Sequence, residues 1–334
     1  MKIKFWGVRG SVPSTFRADD LRRRLQEVLA LALEHGLEAE RIDEFMSSLS
    51  PRVTGLVGGN TPCLEITEGE DRLIIDAGTG IIDLGLILAE GLDPPPLPHA
   101  DFEVAKTQAS KPLVLNILFT HTHWDHIQGL PFFKPIYQLE NTINIYGLNK
   151  LDLIEALTIQ QQSPKLFPVS LERSGACLNF YSFPHHGLKI GPFDIKCLAM
   201  PHPGGSLAFK IKTRSGTVVF ATDYELLEAD NFSCLCRPQL ALFIQFADVF
   251  ISDTQYTYLE SMAKEGWGHS NPLKVVEMAL AAGVKNFFHF HHDPFYSDSK
   301  LYDMLDKTIA YTKLLYPDST MTIALATEGQ EIEI

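Results

Sequence analysis

Histidine makes up 12 of the 334 residues, yet three of them fall within six positions in His121-Thr122-His123-Trp124-Asp125-His126. Imidazole nitrogens and a carboxylate in one short stretch form a donor set for zinc, iron or manganese, and zinc is the commonest choice for such mixed sites. A pair of histidines would say little, whereas the pattern H-x-H-x-D-H offers four ligands at once. Read as ordinary solvated loop residues, the stretch leaves the local crowding of a scarce residue type unexplained.

Such a cluster needs a rigid support, and the flanking sequence supplies one. Pro112-Leu113-Val114-Leu115-Asn116-Ile117-Leu118-Phe119 is apolar, of strand length and without helical spacing, while Gly129 and Pro131 interrupt regular structure beyond the motif. The histidines therefore leave the end of a buried strand, which fixes the point at which they converge. The same device recurs. Leu73-Ile74-Ile75 ends in Asp76, Val218-Val219-Phe220-Ala221-Thr222 in Asp223, and Val249-Phe250-Ile251-Ser252 in Asp253. The segment 193–200 runs into Pro201-His202-Pro203, and Asn286-Phe287-Phe288-His289-Phe290 into His291-His292-Asp293-Pro294. Asp76 reads either as a carboxylate that supports a metal ligand from behind or as a turn or helix N-cap residue. Helices alternate with these strands, so the pattern predicts an α/β protein whose loops converge from one edge of stacked sheets. No repeat of fixed short period is present.

The remaining segments read as scaffolding. Residues 18–36 form a predicted helix, with Asp19 and Asp20 in its first turn, Leu21, Leu25, Val28, Leu29 and Ala32 at helical spacing, and His35-Gly36 at its close. His35 is a solvated cap. A short helix over 38–49 is stopped by Pro51, and further helices are predicted over 81–91, 149–161, 273–282 and 297–315. The proline-rich stretch 92–111 is an exposed connector in which His99 has no role, and His185 and His186 sit in a turn.

Composition narrows the class. With 45% hydrophobic residues and a mean hydropathy near zero, the chain can bury a large core. Length alone suggests about two domains, although two-sheet enzymes of this size are often one. No apolar run reaches the roughly 18 residues of a membrane span, and Met1-Lys2-Ile3-Lys4-Phe5-Trp6 enters a strand pattern with no signal-peptide core. Cys63, Cys177, Cys197, Cys234 and Cys236 are odd in number, contain no C-x-x-C pair, and place two thiols too close for an easy disulfide. Free thiols and a cytoplasmic location are expected. A net charge of −13 opposes a broad grip on long nucleic acids, which depends on Lys and Arg neutralising many phosphates. It leaves room for a small phosphate ester, because bound cations supply local positive charge.

Taken together these motifs resemble the metallo-β-lactamase superfamily along nearly the whole chain. The resemblance rests on Lys4-Phe5-Trp6-Gly7-Val8-Arg9-Gly10-Ser11, Gly59-Asn60-Thr61, Asp76-Ala77-Gly78-Thr79-Gly80 and the histidine motif. It extends through His202-Pro203-Gly204-Gly205-Ser206, Thr222-Asp223, Gly268-His269-Ser270 and His291-His292-Asp293-Pro294. Within that superfamily the pattern is similar to the ribonuclease Z-like and cyclic-nucleotide phosphodiesterase-like branch. The resemblance implies a four-layer αββα sandwich, one domain over 1–334, with two divalent metal ions, zinc first and manganese or iron next. By position, His121, His123 and His202 would hold the first ion; Asp125, His126 and His291 would hold the second, with Asp125 also taking part in catalysis; and Asp223 would bridge both. His291 is preferred to His292 by its place before the His-Asp-Pro turn, and His289 is a lesser candidate. The implied reaction is attack on phosphorus by a metal-bridged hydroxide, with His269 as general acid and Asp253 holding it oriented. His269 can also be read as a helix N-terminal residue packed beside Trp267, and Asp253 as an N-cap.

Two departures from the family qualify the substrate. A helical insertion at about 17–52 exceeds the short loop many relatives have after the first strand, and could form a lid, a homodimer surface or a helix packed on the body. There is no Gly/Pro-rich basic arm of the kind ribonuclease Z uses to grip transfer RNA. The reading that follows is a phosphodiesterase acting on a small substrate such as a cyclic nucleotide, with Phe167, Trp267 or Tyr256 available to stack on a base, and with no membrane partner. A ribonuclease Z-like endonuclease, a di-metal oxidoreductase or sensor without hydrolysis, and a carboxylic or thioester hydrolase are the alternatives.

Overall fold

Alternating and continuous apolar patterns sort the strands into two sheets, seen in a computed structural model that describes residues 1–16, 18–89, 112–226 and 236–334. The first sheet holds β1 (Lys2–Gly7), β2 (Cys63–Glu68), β3 (Asp71–Ile75), β4 (Val114–Leu118), β5 (Thr142–Gly147) and β6 (Cys177–Ser182). The second holds β7 (Leu188–Ile190), β8 (Phe193–Met200), β9 (Ser206–Lys212), β10 (Thr217–Ala221), β11 (Val249–Asp253), β12 (Asn286–Phe290) and β13 (Thr322–Leu325). A last strand, β14 (Glu331–Glu333), returns to the first sheet and pairs with β1. The orders are β14-β1-β2-β3-β4-β5-β6 and β13-β12-β11-β10-β9-β8-β7.

Each sheet is antiparallel on one side and parallel on the other: β3, β4, β5 and β6 run parallel in the first, and β10, β11, β12 and β13 in the second. The sequence anticipates this split. Phe193-Asp194-Ile195-Lys196 alternates because β8 turns one face outward, whereas β10 and β11 read as unbroken apolar runs covered on both faces.

The helices follow as α1 (Ala18–Glu34), α2 (Ile42–Ser48), α3 (Pro51–Thr54), α4 (Ile81–Leu88), α5 (Trp124–Ile127), α6 (Lys150–Gln160), α7 (Cys236–Phe243), α8 (Tyr258–Ala263), α9 (Pro272–Ala281) and α10 (Asp298–Leu315). Between the sheets lies a core of Ile3, Phe5, Leu64, Ile66 and Ile75 against Phe209, Phe220, Ile251, Phe288 and Phe290. Phe5 meets Phe288 and Phe290 at ring-centroid distances of 5.8 and 6.2 Å, and truncating it to alanine should cost about 3–5 kcal/mol. Outside the first sheet, Ile81 and Leu84 of α4 and Leu153 and Leu157 of α6 bury a second cluster. Outside the second, Leu240 of α7 and Val275, Val276 and Ala279 of α9 bury a third. The result is the four-layer αββα sandwich.

Several local expectations change. Pro51 stops one helix and also starts α3, the first helical position being where a missing N–H costs least. The short segments α7, α8 and β14 were not legible as periodic runs; α8 is instead set by a capping box between Thr257 and Glu260. The apolar positions of α1 do not enter a core, since no residue of that helix is buried. Cys63, Cys177 and Cys197 are free thiols. Cys234, His99 and the connector over 92–111 lie outside the described residues.

Candidate metal centre

The motif loop after β4 is organised by a carboxylate from the neighbouring strand. Asp76 follows β3 with a left-handed backbone (φ 61°) and is fully buried. Its Oδ1 accepts the Thr120 N–H at 2.8 Å, and its Oδ2 accepts the Thr120 hydroxyl at 2.9 Å and faces His126 Nδ1 at 2.8 Å. Asp76 therefore stands behind His126, and the N-cap of α4 is Gly80. Burial pushes the Asp76 carboxyl up, while His126 and the Thr120 donors pull it down. One turn of helix, α5, then turns Asp125 and His126 inward and leaves Trp124 exposed.

The second sheet delivers its groups from separate strand ends. His202 follows β8, Asp223 follows β10, Asp253 ends β11 and His291 follows β12. β10, β11 and β12 are parallel and in register, with Ala221 opposite Ser252 and Asp253 opposite Phe290, so their carboxyl ends form one edge. His269 arrives from the loop before α9, where the Glu225 carboxylate accepts the N–H groups of Gly266 and Gly268.

The two sources meet at Asp223. Its Oδ1 lies 3.8 Å from His121 Nε2 and 3.7 Å from His202 Nε2. Its Oδ2 lies 3.1 Å from His126 Nε2 and 3.3 Å from His291 Nε2. His202 Nε2 is 3.0 Å from His123 Nδ1, and Asp125 Oδ2 is 3.1 Å from His291 Nε2 and 3.3 Å from His126 Nε2. One set of donors comprises His121, His123, His202 and Asp223, and another comprises Asp125, His126 and His291; within each, the ligand atoms lie within 4.8 Å of one another.

These residues fit a pair of divalent cations. His121 Nε2 and His126 Nε2 are buried without a hydrogen-bond partner; the 3.1 Å approach of His126 to Asp223 lacks hydrogen-bond angles. A buried nitrogen left in this way costs about 1–3 kcal/mol, which a metal bond would relieve. Burial lowers the pKa of His121, His123 and His202, keeping neutral imidazoles ready to donate. Burial works against ionisation of Asp125 and Asp223, yet the surrounding histidines hold both carboxyls well below the ordinary range.

Around this centre lie residues whose part in it the motifs did not announce. Gln255, 2% exposed, faces His291 Nδ1 through Oε1 at 3.1 Å and donates through Nε2 to the Ser11 hydroxyl at 3.3 Å. The Ser11 N–H donates to Asp125 Oδ2 at 2.7 Å, closing a ring of four residues. Ser11 (φ 65°), Asp76, Asp223 (φ 55°) and His291 (φ 59°) account for four of the five non-glycine residues with left-handed backbone among the described residues. Two glycines permit close approach: a Cβ at Gly10 would fall 2.4 Å from His291 Cε1, and one at Gly268 (φ 83°) 2.3 Å from His202 Nδ1. The Gly268 carbonyl instead faces that nitrogen at 2.9 Å.

His269 Nδ1 is 2.8 Å from Asp253 Oδ2 and 3.9 Å from Asp223 Oδ1. Asp253 also accepts the N–H groups of Asp223, Gln255 and Ser270 at 3.1 Å each, so it is a hub and no helix cap; the N-cap of α9 is Asn271. Trp267 is 61% exposed and does not pack His269 away; the Tyr256 ring does touch it, edge on, at 5.6 Å. Phe167 stands in an edge-to-face pair with Phe132 at 5.5 Å. His292 turns away to the Ala326 carbonyl at 2.9 Å, and burial drives its pKa down to about 3. His289 is buried beside Phe287, also pushed to about 3 by burial. His185 and His186 lie in the turn between β6 and β7.

The sequence model of the family described as "Beta-lactamase superfamily domain" matches residues 71–292, which contain every one of these histidines and aspartates. The chain belongs to the metallo-β-lactamase superfamily. A ribonuclease Z from Exiguobacterium sibiricum is 26% identical over 225 residues, 56% of this chain and 74% of that relative. Among solved structures, the metallo-β-lactamase fold protein YhfI from Bacillus subtilis superposes with a TM-score of 0.60 at 19% identity, covering 99% of each chain. Unliganded yeast PDE1 gives 0.59 at 14% identity, over 82% of this chain and 95% of its own. These likenesses fix the fold as that of the metallo-β-lactamase superfamily. No helix among the described residues is long and apolar enough to cross a membrane.

Proposed function

We propose that this chain is a two-metal phosphodiesterase acting on a small substrate, with a cyclic nucleotide as the class that suits the site best. The observation that carries the reading is Asp223, whose two carboxylate oxygens face different histidine sets at 3.1–3.8 Å. A carboxylate that offers each oxygen to a different histidine set would serve as the shared ligand of a two-cation site. His121, His123 and His202 would hold one, Asp125, His126 and His291 the other, and Asp223 both. Divalent cations there, zinc first and manganese or iron next, supply positive charge to phosphoryl oxygens and make water more acidic.

The chain's own groups do the rest. Asp76 and Gln255 fix the rings of His126 and His291 through their far nitrogens. With Nδ1 tied to Asp253, His269 keeps Nε2 free to hold the proton that a leaving alkoxide takes. Burial lowers the His269 pKa, but Asp253 and then Asp223 outweigh it and raise it to about 9. Cations beside Asp223 would oppose those carboxylates and bring His269 back toward neutral pH, where a general acid works best. The net charge of −13 favours a small ester over a long polyanion. Exposed Trp267, with Lys264 Nζ 5.5 Å from its ring, offers a face for a base near His269.

The test is hydrolysis of bis(p-nitrophenyl) phosphate by zinc- or manganese-loaded protein, beside Asp223→Ala and His269→Ala, followed by 3′,5′-cyclic nucleotides and a short single-stranded RNA. Activity that both substitutions abolish supports the reading, and turnover of cyclic nucleotides in preference to RNA supports the small substrate. A metal-loaded protein inert on every phosphodiester overturns it. Preference for RNA would favour the second reading, an endonuclease, which the ribonuclease Z relative keeps open.

A further inference from the structure

Three loops of the second sheet meet at a residue that the histidine and aspartate motifs pass over. Glu225 lies two positions beyond Asp223 and is half-buried. Its N–H donates to the Pro201 carbonyl at 3.2 Å, next to His202. Its carboxylate accepts the Gly266 N–H at 2.9 Å and the Gly268 N–H at 3.1 Å, both on Oε2. The residues on either side are stitched to the same loop: the Ser270 hydroxyl donates to the Tyr224 carbonyl at 2.7 Å and accepts the Leu226 N–H at 3.2 Å. His269 is therefore held on its N-terminal side by Glu225 and on its C-terminal side by the two neighbours of Glu225.

The loop needs such a tie. Gly266 and Gly268 have φ values of 84° and 83°, which glycine adopts without steric cost but also leaves easily, having the widest choice of alternatives. Gly268 makes a second contact, its carbonyl facing His202 Nδ1 at 2.9 Å. A carbonyl only accepts, so Nδ1 carries the proton, and Nε2, which faces Asp223 Oδ1 at 3.7 Å, keeps its lone pair. Orientation thus passes from Glu225 through Gly268 to His202, and one residue further along the chain to His269. An ionised acceptor suits the task, because hydrogen bonds to a carboxylate are stronger than those between neutral groups.

We infer that Glu225 is a positioning residue for two groups at once: it fixes the ring and tautomer of His202 for metal binding, and it sets His269 beside Asp223. The second part rests on the phosphodiesterase reading, whereas the first needs only a metal at His202. Without the carboxylate, Gly268 is free to turn its carbonyl away, and His202 loses the acceptor that keeps Nε2 unprotonated.

Zinc titration of the full chain against a chromophoric chelator tests the first part. Glu225→Ala should weaken one of the two equivalents about 10–100-fold, as for other partners that orient a ligand, and leave the other unchanged. Glu225→Gln, which keeps one acceptor oxygen, should restore most of that loss. A Glu225→Ala protein that folds, by circular dichroism, and binds both equivalents like the wild type overturns the inference. Equal weakening of both also overturns it, since that marks a general loosening of the site. If the alanine variant does not fold, the glutamine variant decides alone: partial weakening of one equivalent is expected, and no loss or an equal loss in both rejects the inference. For His269, turnover is compared at saturating zinc. Hydrolysis of 3′,5′-cyclic AMP, whose leaving alkoxide must take a proton, should fall about tenfold further in Glu225→Ala than hydrolysis of bis(p-nitrophenyl) phosphate, whose phenolate leaves without one. Equal losses on the two esters overturn the link to His269. A wild type inert on both sinks the phosphodiesterase reading and leaves the zinc titration to decide the role of Glu225.

Discussion

The two halves of the candidate metal centre are built on opposite plans. From the first sheet, His121, His123, Asp125 and His126 come from six consecutive positions at the end of β4. From the second, His202, Asp223, Asp253 and His291 leave four different strands, and His269 a separate loop. The first half gains its precision locally, from one turn of α5 and the buried carboxylate of Asp76 behind it. The second depends on parallel register, because a slip of one residue would turn each strand-end group to the other face. Both plans require backbone that side chains rarely adopt: Asp76 and Ser11 serve the compact half, Asp223 and His291 belong to the dispersed one. Strain of this kind persists only where surrounding bonds over-determine it, as the hydrogen bonds around Asp76 and Asp253 do.

Asp223→Ala should have the largest effect, because it removes the single group both halves share. Bound metal should fall from two equivalents to one or fewer by elemental analysis, with phosphodiester hydrolysis down on the order of a thousandfold. Two tightly bound equivalents in that variant would show that the halves do not need a bridge.

The orienting partners come next. The compact half uses a buried carboxylate and the dispersed half a carboxamide, and substitutions of such partners cost about 10–100-fold in metal affinity. Asp76→Asn is expected near the upper end and Gln255→Leu near the lower, each weakening one of the two equivalents when titrated against a chromophoric chelator. The reverse ranking would mean that His291, and not His126, is the ligand whose orientation matters more.

The smallest effect tests whether acid sensitivity belongs to the centre or to its surroundings. Glu260 of α8 is tied to Lys300 at 2.8 Å and to Tyr296 and Thr257. Burial raises its pKa, but those partners outweigh it and lower it from 4.5 to about 2. A carboxyl lowered on folding contributes stability that is present above pH 4.5 and lost as pH falls toward 2. Its side chain is 36% exposed, so the contribution is small. Glu260→Gln should therefore lower the melting temperature slightly at neutral pH and not at the acid limit, with metal content unchanged. An equal loss at both ends would remove the ionisation from the account.

The contrast also explains what the sequence could reveal. The compact half announces itself, because four candidate ligands in six positions need no knowledge of the fold. The dispersed groups are visible singly, as acids and histidines at the ends of apolar runs, but only the family resemblance joined them before the sheets did. Asp76 was left between two roles because a strand-ending aspartate serves either; Thr120 and His126, brought opposite it by the pairing of β3 with β4, decide the matter. Gln255 carried no signal at all, and Ser11 appeared only as the last residue of the opening motif, with no role; the part each plays arises from contact with His291 and Asp125. The leucines of α1 show the converse. Their spacing predicts the helix correctly and says nothing about what, if anything, covers it.

The pairing of β1 with β14 joins Lys2–Gly7 to Glu331–Glu333, with the Met1 amino group 2.8 Å from the Ile334 carbonyl. During synthesis, β1 emerges first and finds β2 within the next stretch of chain, but its other edge waits for more than three hundred residues. For that interval the nascent sheet offers an open row of N–H and C=O groups, the kind of edge through which neighbouring chains aggregate. Removing residues 331–333 would leave that edge permanently bare, and the harm would show as lower yield of soluble protein long before it touched the metal centre at the opposite end of the strands.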